Sequence, residues 1–166
     1  MKLSELTGLT LFLEDKKPTG TYAAAKLSKE TKKQVKQYLK DNDIADACDV
    51  DDMHCTILFS RKHLSDYTAA GKYDTPIKAK STGFEIWKSK PKEGESKNVL
   101  VLTLKSKEMT ARHKELMKEH DATYDFDQYK PHVTFCYDFK DGDPKKLSKI
   151  DFDIIFDTEY SENLSI

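Results

Sequence analysis

Apolar and polar positions along the chain change period several times, and each change marks an element. The run Thr21 to Leu27 is short and mostly apolar, which reads as a buried strand. Ser28 then offers a helix N-cap, with Glu30 in the first turn where the helix dipole favours a carboxylate. Thr31, Val35, Tyr38 and Leu39 recur at helical spacing, which predicts a helix from Lys29 to about Asp41 with its lysines outward. After an acidic loop from Asp41 to Asp52, Met53 to Ser60 reads as a second strand. Arg61 to Thr75 reads as a loop with a short helical turn. Pro76 then opens an alternating stretch, Ile77 to Trp87, of the kind an antiparallel strand with one wet face shows.

The pattern then repeats. A polar hairpin loop, Lys88 to Lys97, leads into the apolar strand Asn98 to Lys105, and Ser106 caps a helix over roughly Lys107 to His120. Its face carries Met109, His113, Leu116, Met117 and His120. The loop Ala122 to Lys130, with Tyr124, Phe126 and Tyr129, precedes a strand at about His132 to Phe139. Asp141 to Pro144 is a turn, and Ile150 to Asp157 reads as the last strand before a polar tail, Thr158 to Ile166. The apolar run Leu9 to Leu13 is a strand or an irregular lead-in, followed by the turn-prone Asp15 to Gly20.

The repetition has a fixed offset. His54 and His132 lie 78 residues apart, and Ser28-Lys29-Glu30 recurs as Ser106-Lys107-Glu108 at the same distance. Lys36, Lys40, Asp43 and Asp49 likewise match Lys114, Lys118, Asp121 and Asp127. A shared offset across a whole unit reads as duplication. At 166 residues the chain suits one domain rather than two, so two lobes of a single domain are expected, about 21–60 and 98–139.

Each unit ends on a histidine two residues before a threonine. In an extended strand, His54 and Thr56 share one face, and so do His132 and Thr134. If the two strands lie together, two imidazoles and two hydroxyls converge on one patch, able to grip a phosphate and move protons on both sides of it. That chemistry is phosphodiester cleavage without a metal or other cofactor.

Charge narrows the ligand. Lys and Arg number 28 against 29 Asp and Glu, a net charge of −1, so the strong positive field of a protein that tracks long nucleic acid is missing. Arg61 and Arg112 are the only arginines, and a small anionic ligand suits this balance. The three cysteines, Cys48, Cys55 and Cys136, form no Cys-x-x-Cys pair, which points to reduced thiols in a cytoplasm. Cys136 shares strand parity with His132, yet a thiol packed as a small hydrophobe is the expected state. His113 and His120 suggest no metal, since no third ligand stands at a fitting spacing. No stretch has the length of a membrane span, nor does the N-terminus carry an apolar leader, so a cytoplasmic protein is expected.

The duplicated His-x-Thr strands, each following a strand and helix at the same distance, resemble the two-histidine (2H) phosphoesterase superfamily over about Thr21 to Asp157. That resemblance implies a bilobal α+β fold, two antiparallel sheet lobes with helices outside and a central groove. The Gly20 to Ala25 segment and the Tyr129 to Thr134 segment look like those of bacteriophage anti-CBASS proteins. Such proteins degrade the cyclic di- and trinucleotide signals of bacterial immunity, 3′,3′-cGAMP among them, in the host cytoplasm. Carried over by residue, the resemblance implies a catalytic set of His54, Thr56, His132 and Thr134. It also implies stacking or pocket roles for Tyr22, Trp87 and Tyr124, with Tyr160 as an aromatic lid. A base-edge contact is implied from an acid near the C-terminus, with Glu159 chosen ahead of Glu162 and Asp157. The competing readings are a 2H enzyme acting on RNA ends or 2′,3′-cyclic phosphates, and a sponge that binds cyclic nucleotides without cleaving them. Oligomeric state is left open.

Overall fold

The structure, a computed structural model, describes residues 17–91, 93–140 and 142–165. The run Leu9 to Leu13 lies outside the described residues. Six strands form one antiparallel sheet: β1 (Gly20–Leu27), β2 (His54–Ser60), β3 (Gly71–Lys88), β4 (Asn98–Lys105), β5 (His132–Cys136) and β6 (Ile154–Leu164). Their order across the sheet is β2-β1-β6-β3-β4-β5. Helices α1 (Lys29–Asp41) and α2 (Lys107–Glu119) follow β1 and β4. The expected α+β architecture of antiparallel halves is found, with β3 running through both. Its first part pairs with β6 and its second with β4.

The bounds of β1 and α1 recur in β4 and α2 at the same 78-residue offset that separates the histidines. Both helices start as their sequences require. The Ser28 hydroxyl accepts the Thr31 N–H at 3.2 Å and the Ser106 hydroxyl accepts the Met109 N–H at 3.1 Å. The buried stripes are Thr31, Val35 and Tyr38 on α1, and Met109, His113 and Leu116 on α2. They close over a core that includes Ala25, Ile57, Leu102, Phe135 and Phe156.

Three strands depart from expectation. β3 begins at Gly71, inside the segment expected to be a loop, because the chain bulges between Lys72 and Ile77. Pro76 falls in that bulge, where a missing N–H costs no ladder bond. β6 continues to Leu164 through the segment expected to be a polar tail. It is ordered by its backbone ladder to β1, from Gly20 opposite Leu164 to Leu27 opposite Phe156, so its side chains carry little apolar signal. β5 is also shorter than expected, ending at Cys136.

The sheet is curled so that β2 and β5, its outermost strands, come into contact. Neither edge is left bare. The Cys48 N–H, in the loop before β2, donates to the Phe135 carbonyl of β5 at 2.8 Å. The Tyr129 hydroxyl, in the loop before β5, donates to the Thr56 carbonyl of β2 at 2.7 Å. Each loop thus seals the other half's edge, and the two strand starts are brought together at one groove.

Candidate active site

His54 and His132 occupy the first positions of β2 and β5 and are held in the same way. Nδ1 of His54 bonds the Asp52 carbonyl at 2.8 Å, and Nδ1 of His132 bonds the Lys130 carbonyl at 2.8 Å. A carbonyl only accepts, so Nδ1 must carry the proton in each ring. That leaves Nε2 as the unprotonated nitrogen of each neutral ring. Both rings are half-buried, as are Thr56 and Thr134.

The groove divides into cavities that mix the two strands. One, of about 370 Å³, is lined by His54 together with Thr134, Asp52 and Tyr137. Another, of about 320 Å³, is lined by Thr56 together with His132, Tyr22, Phe59 and Arg61. It shares Tyr124, Phe126, Lys130 and His132 with a third of about 630 Å³ that Trp87 closes. The histidine of each strand therefore faces the threonine of the other.

Aromatic rings set the surroundings of both imidazoles. Trp87 lies 4.4 Å from His132 between ring centroids. Tyr22 and Tyr160 meet His54 edge-on at 6.1 and 6.4 Å, and the Lys26 ammonium sits 5.0 Å over the Tyr160 ring. Burial lowers the pKa of His132, and the neighbouring His54 lowers it further, against the opposing effect of the Lys130 carbonyl. Burial likewise raises the pKa of Tyr22, so its phenol stays protonated. Its oxygen is 2.8 Å from the Thr56 hydroxyl. With the phenol donating, the threonine proton is free to point into the groove.

The chain is similar to known proteins. A family model described as "Anti-CBASS protein Acb1" matches residues 19–166. The chain belongs to the Acb1 anti-CBASS family. The Acb1 protein of Escherichia phage RB16 is 30% identical over 161 residues, spanning 93% of this chain and 88% of its own. The Acb1 protein of Enterobacteria phage T4 is 28% identical over 148 residues, spanning 89% and 90%. Among solved structures, a phosphoesterase overlays 87% of this chain and 84% of its own at 14% identity and a TM-score of 0.44, too distant to add to the assignment.

Within this Acb1-family chain the residues singled out from sequence divide sharply. His54, Thr56, His132, Thr134, Tyr22, Trp87 and Tyr124 all line the groove cavities. Glu159 does not; it is 1% exposed and its oxygens accept from five donors. Arg112 grips both oxygens at 2.8 Å, joined by Tyr67 and Tyr73 at 2.8 Å and the Ala70 N–H at 2.9 Å. No lone pair remains for a base edge, so the expected contact from Glu159 is corrected to a structural tie between β6 and α2. The alternative acid Glu162 lies opposite Tyr22 in the β1–β6 register, on the same face of the sheet.

Cys136 is fully buried, as a small hydrophobe would be. Strict alternation puts it in the groove, but the register shifts there: Thr134 opposes Val101 and Cys136 opposes Leu100, leaving Phe135 as an extra residue. β2 has the same bulge at Ile57, between Thr56 opposite Ala24 and Leu58 opposite Ala23. Both bulges return the following residue, Phe59 or Tyr137, to the groove face. Sequence reasoning missed these two, and also Arg61 and Lys130. The signal available was the pair of consecutive apolar residues after each His-x-Thr, which an alternating strand does not need. His113 donates from Nδ1 to the Ile57 carbonyl at 2.7 Å and stacks on Tyr129 at 4.2 Å, while His120 lies 3.1 Å from Asp66.

Proposed function

We propose that this protein is a phosphodiesterase that cleaves 3′–5′ bonds of cyclic di- or trinucleotide signals, 3′,3′-cGAMP among them, and so counters CBASS defence in the host cytoplasm. The observation that carries the reading is the matched pair of imidazoles, each fixed through Nδ1 and each lining a cavity together with the threonine of the other strand. A phosphodiester bound there has a proton acceptor on one side and a proton donor on the other.

His132 is the base. Burial and the neighbouring His54 favour its neutral ring, whose Nε2 takes the proton of the ribose 2′-hydroxyl as that oxygen attacks phosphorus. His54, protonated, gives its Nε2 proton to the departing 5′-oxygen, and a 2′,3′-cyclic phosphate results. Thr56, oriented by Tyr22, and Thr134 donate to the non-bridging oxygens as their charge grows. Trp87, Tyr124 and Tyr22 line the cavities that receive the nucleosides, and Glu162, rather than Glu159, takes the base-edge role.

The test is incubation of the purified protein with 3′,3′-cGAMP in EDTA, products read by mass spectrometry. Linear product that disappears in His54→Ala is expected. Intact ligand that nevertheless binds would replace cleavage by sequestration, and unbound ligand would redirect the search to RNA ends.

A further inference from the structure

Among the described residues, the two large hydrophobic side chains left exposed are Phe126, 70% exposed, and Tyr137, 59% exposed. A single surface aromatic is ordinary. These two stand on opposite sides of one centre: Phe126 lines both cavities beside His132, and Tyr137 lines the cavity shared by His54 and Thr134. Both are set in place by the surrounding fold. Arg61 donates from Nε and Nη2 to the two oxygens of Asp125, at 2.9 Å each, and the Arg61 N–H donates to the Thr123 hydroxyl at 2.8 Å. Those bonds hold the Phe126 loop against the end of β2. Tyr137 is delivered by the bulge at Phe135, and two residues on, the Phe139 N–H donates to the Asn98 carbonyl at 2.8 Å.

A phosphodiester carries a nucleoside on each side of phosphorus. With the phosphate between the two imidazoles, the nucleosides must leave it in opposite directions, one into each cavity. We propose that Phe126 and Tyr137 are stacking platforms for the two bases of a dinucleotide unit, one on each side of the scissile phosphate. They thereby select ligands with two bases over 2′,3′-cyclic mononucleotides. This inference rests on the phosphodiesterase reading. An exposed aromatic ring keeps apolar surface in water, an unfavourable hydration that a stacked base relieves, and stacking tolerates any base because each has a π-face. A mononucleotide occupies one platform and leaves the other wet.

The experiment measures KM and kcat on 3′,3′-cGAMP for the wild type, Phe126→Ala, Tyr137→Ala, Phe126→Tyr and Tyr137→Phe. It also measures inhibition by 2′,3′-cyclic AMP. Each alanine variant is expected to raise KM about tenfold to a hundredfold with kcat within a few-fold, and each conservative variant to restore KM. Inhibition by 2′,3′-cyclic AMP is expected to weaken in one alanine variant only. Wild-type KM in either alanine variant, or a fall in kcat at constant KM, would overturn the platforms while leaving the phosphodiesterase reading intact. A wild type that neither binds nor cleaves 3′,3′-cGAMP would overturn that reading first and the platforms with it. Because both side chains are exposed, thermal melting is expected to be unchanged in every variant.

Discussion

The cavities on the two sides of the histidine pair are built from corresponding positions yet differ in chemistry. Beside His54 the lining carries Asp46, Asp49, Asp52 and Asp138. Beside His132 it carries Trp87, Tyr124 and Phe126, with Arg61 and Lys130 offset by Asp125 and Asp127. At the common offset Asp46 answers Tyr124, Cys48 answers Phe126, Asp52 answers Lys130 and Phe59 answers Tyr137. What both sides share is the serine cap, the His-x-Thr strand, the carbonyl that fixes Nδ1 and the bulge. The lesson is that the duplicated framework around the histidines is kept while the cavity linings differ. One side is acidic, while on the other, aromatic side Arg61 and Lys130 are balanced by Asp125 and Asp127.

The comparison breaks most severely at the shared parts. His54→Ala and His132→Ala are each expected to lower kcat about 10²–10⁴-fold while melting stays near wild type, measured by steady-state kinetics and calorimetry. A variant that keeps most of its activity would remove that ring from the reaction.

The next largest effect concerns what holds the halves in register. Glu159→Gln leaves Arg112 without its main partner and is expected to destabilise the fold by about 3 kcal/mol, read by urea unfolding at pH 7. Burial works against the Glu159 charge, but the bonds from Arg112, Ala70, Tyr67 and Tyr73 outweigh it and hold the carboxyl below its usual range. Its contribution is therefore complete above the unfolded pKa of about 4.3 and is lost as pH falls through the lowered folded value. Wild type should lose stability on acidification more steeply than Glu159→Gln; equal slopes would show that the tie contributes little.

The smallest effect sharpens the electrostatic side. Removing the His54 ring takes away one of the two influences that lower His132, so the NMR titration of His132 in His54→Ala should move up toward the ordinary histidine value of about 6.5. Burial remains, so the move is partial. An unchanged midpoint would mean that burial alone sets it.

Much of this was legible in the chain. Ser28, Ser106 and the stripes Thr31-Val35-Tyr38 and Met109-His113-Leu116 mark both helices, because capping and helical periodicity are local. The His-x-Thr pairs were legible because two-residue parity is local too. Illegible parts depend on register. The second half of β6, from Thr158, reads as a polar tail because its order comes from a backbone ladder, and the ligand role that the resemblance implied for Glu159 fails because its five donors come from elsewhere in the chain. Phe59 and Tyr137 were lost to bulges that invert parity one residue beyond the motif.

The place of β6 also governs when this molecule becomes complete. It is the last of the described strands in the chain but lies between β1 and β3 in the sheet. Until it is made, β2-β1 and β3-β4-β5 are separate ladders, each with one histidine. On the ribosome, where synthesis runs from the N-terminus, the two pieces wait as nascent fragments. Strand β6 joins them into one sheet, so the arrangement that brings β2 and β5 together is complete only once this late segment has been made.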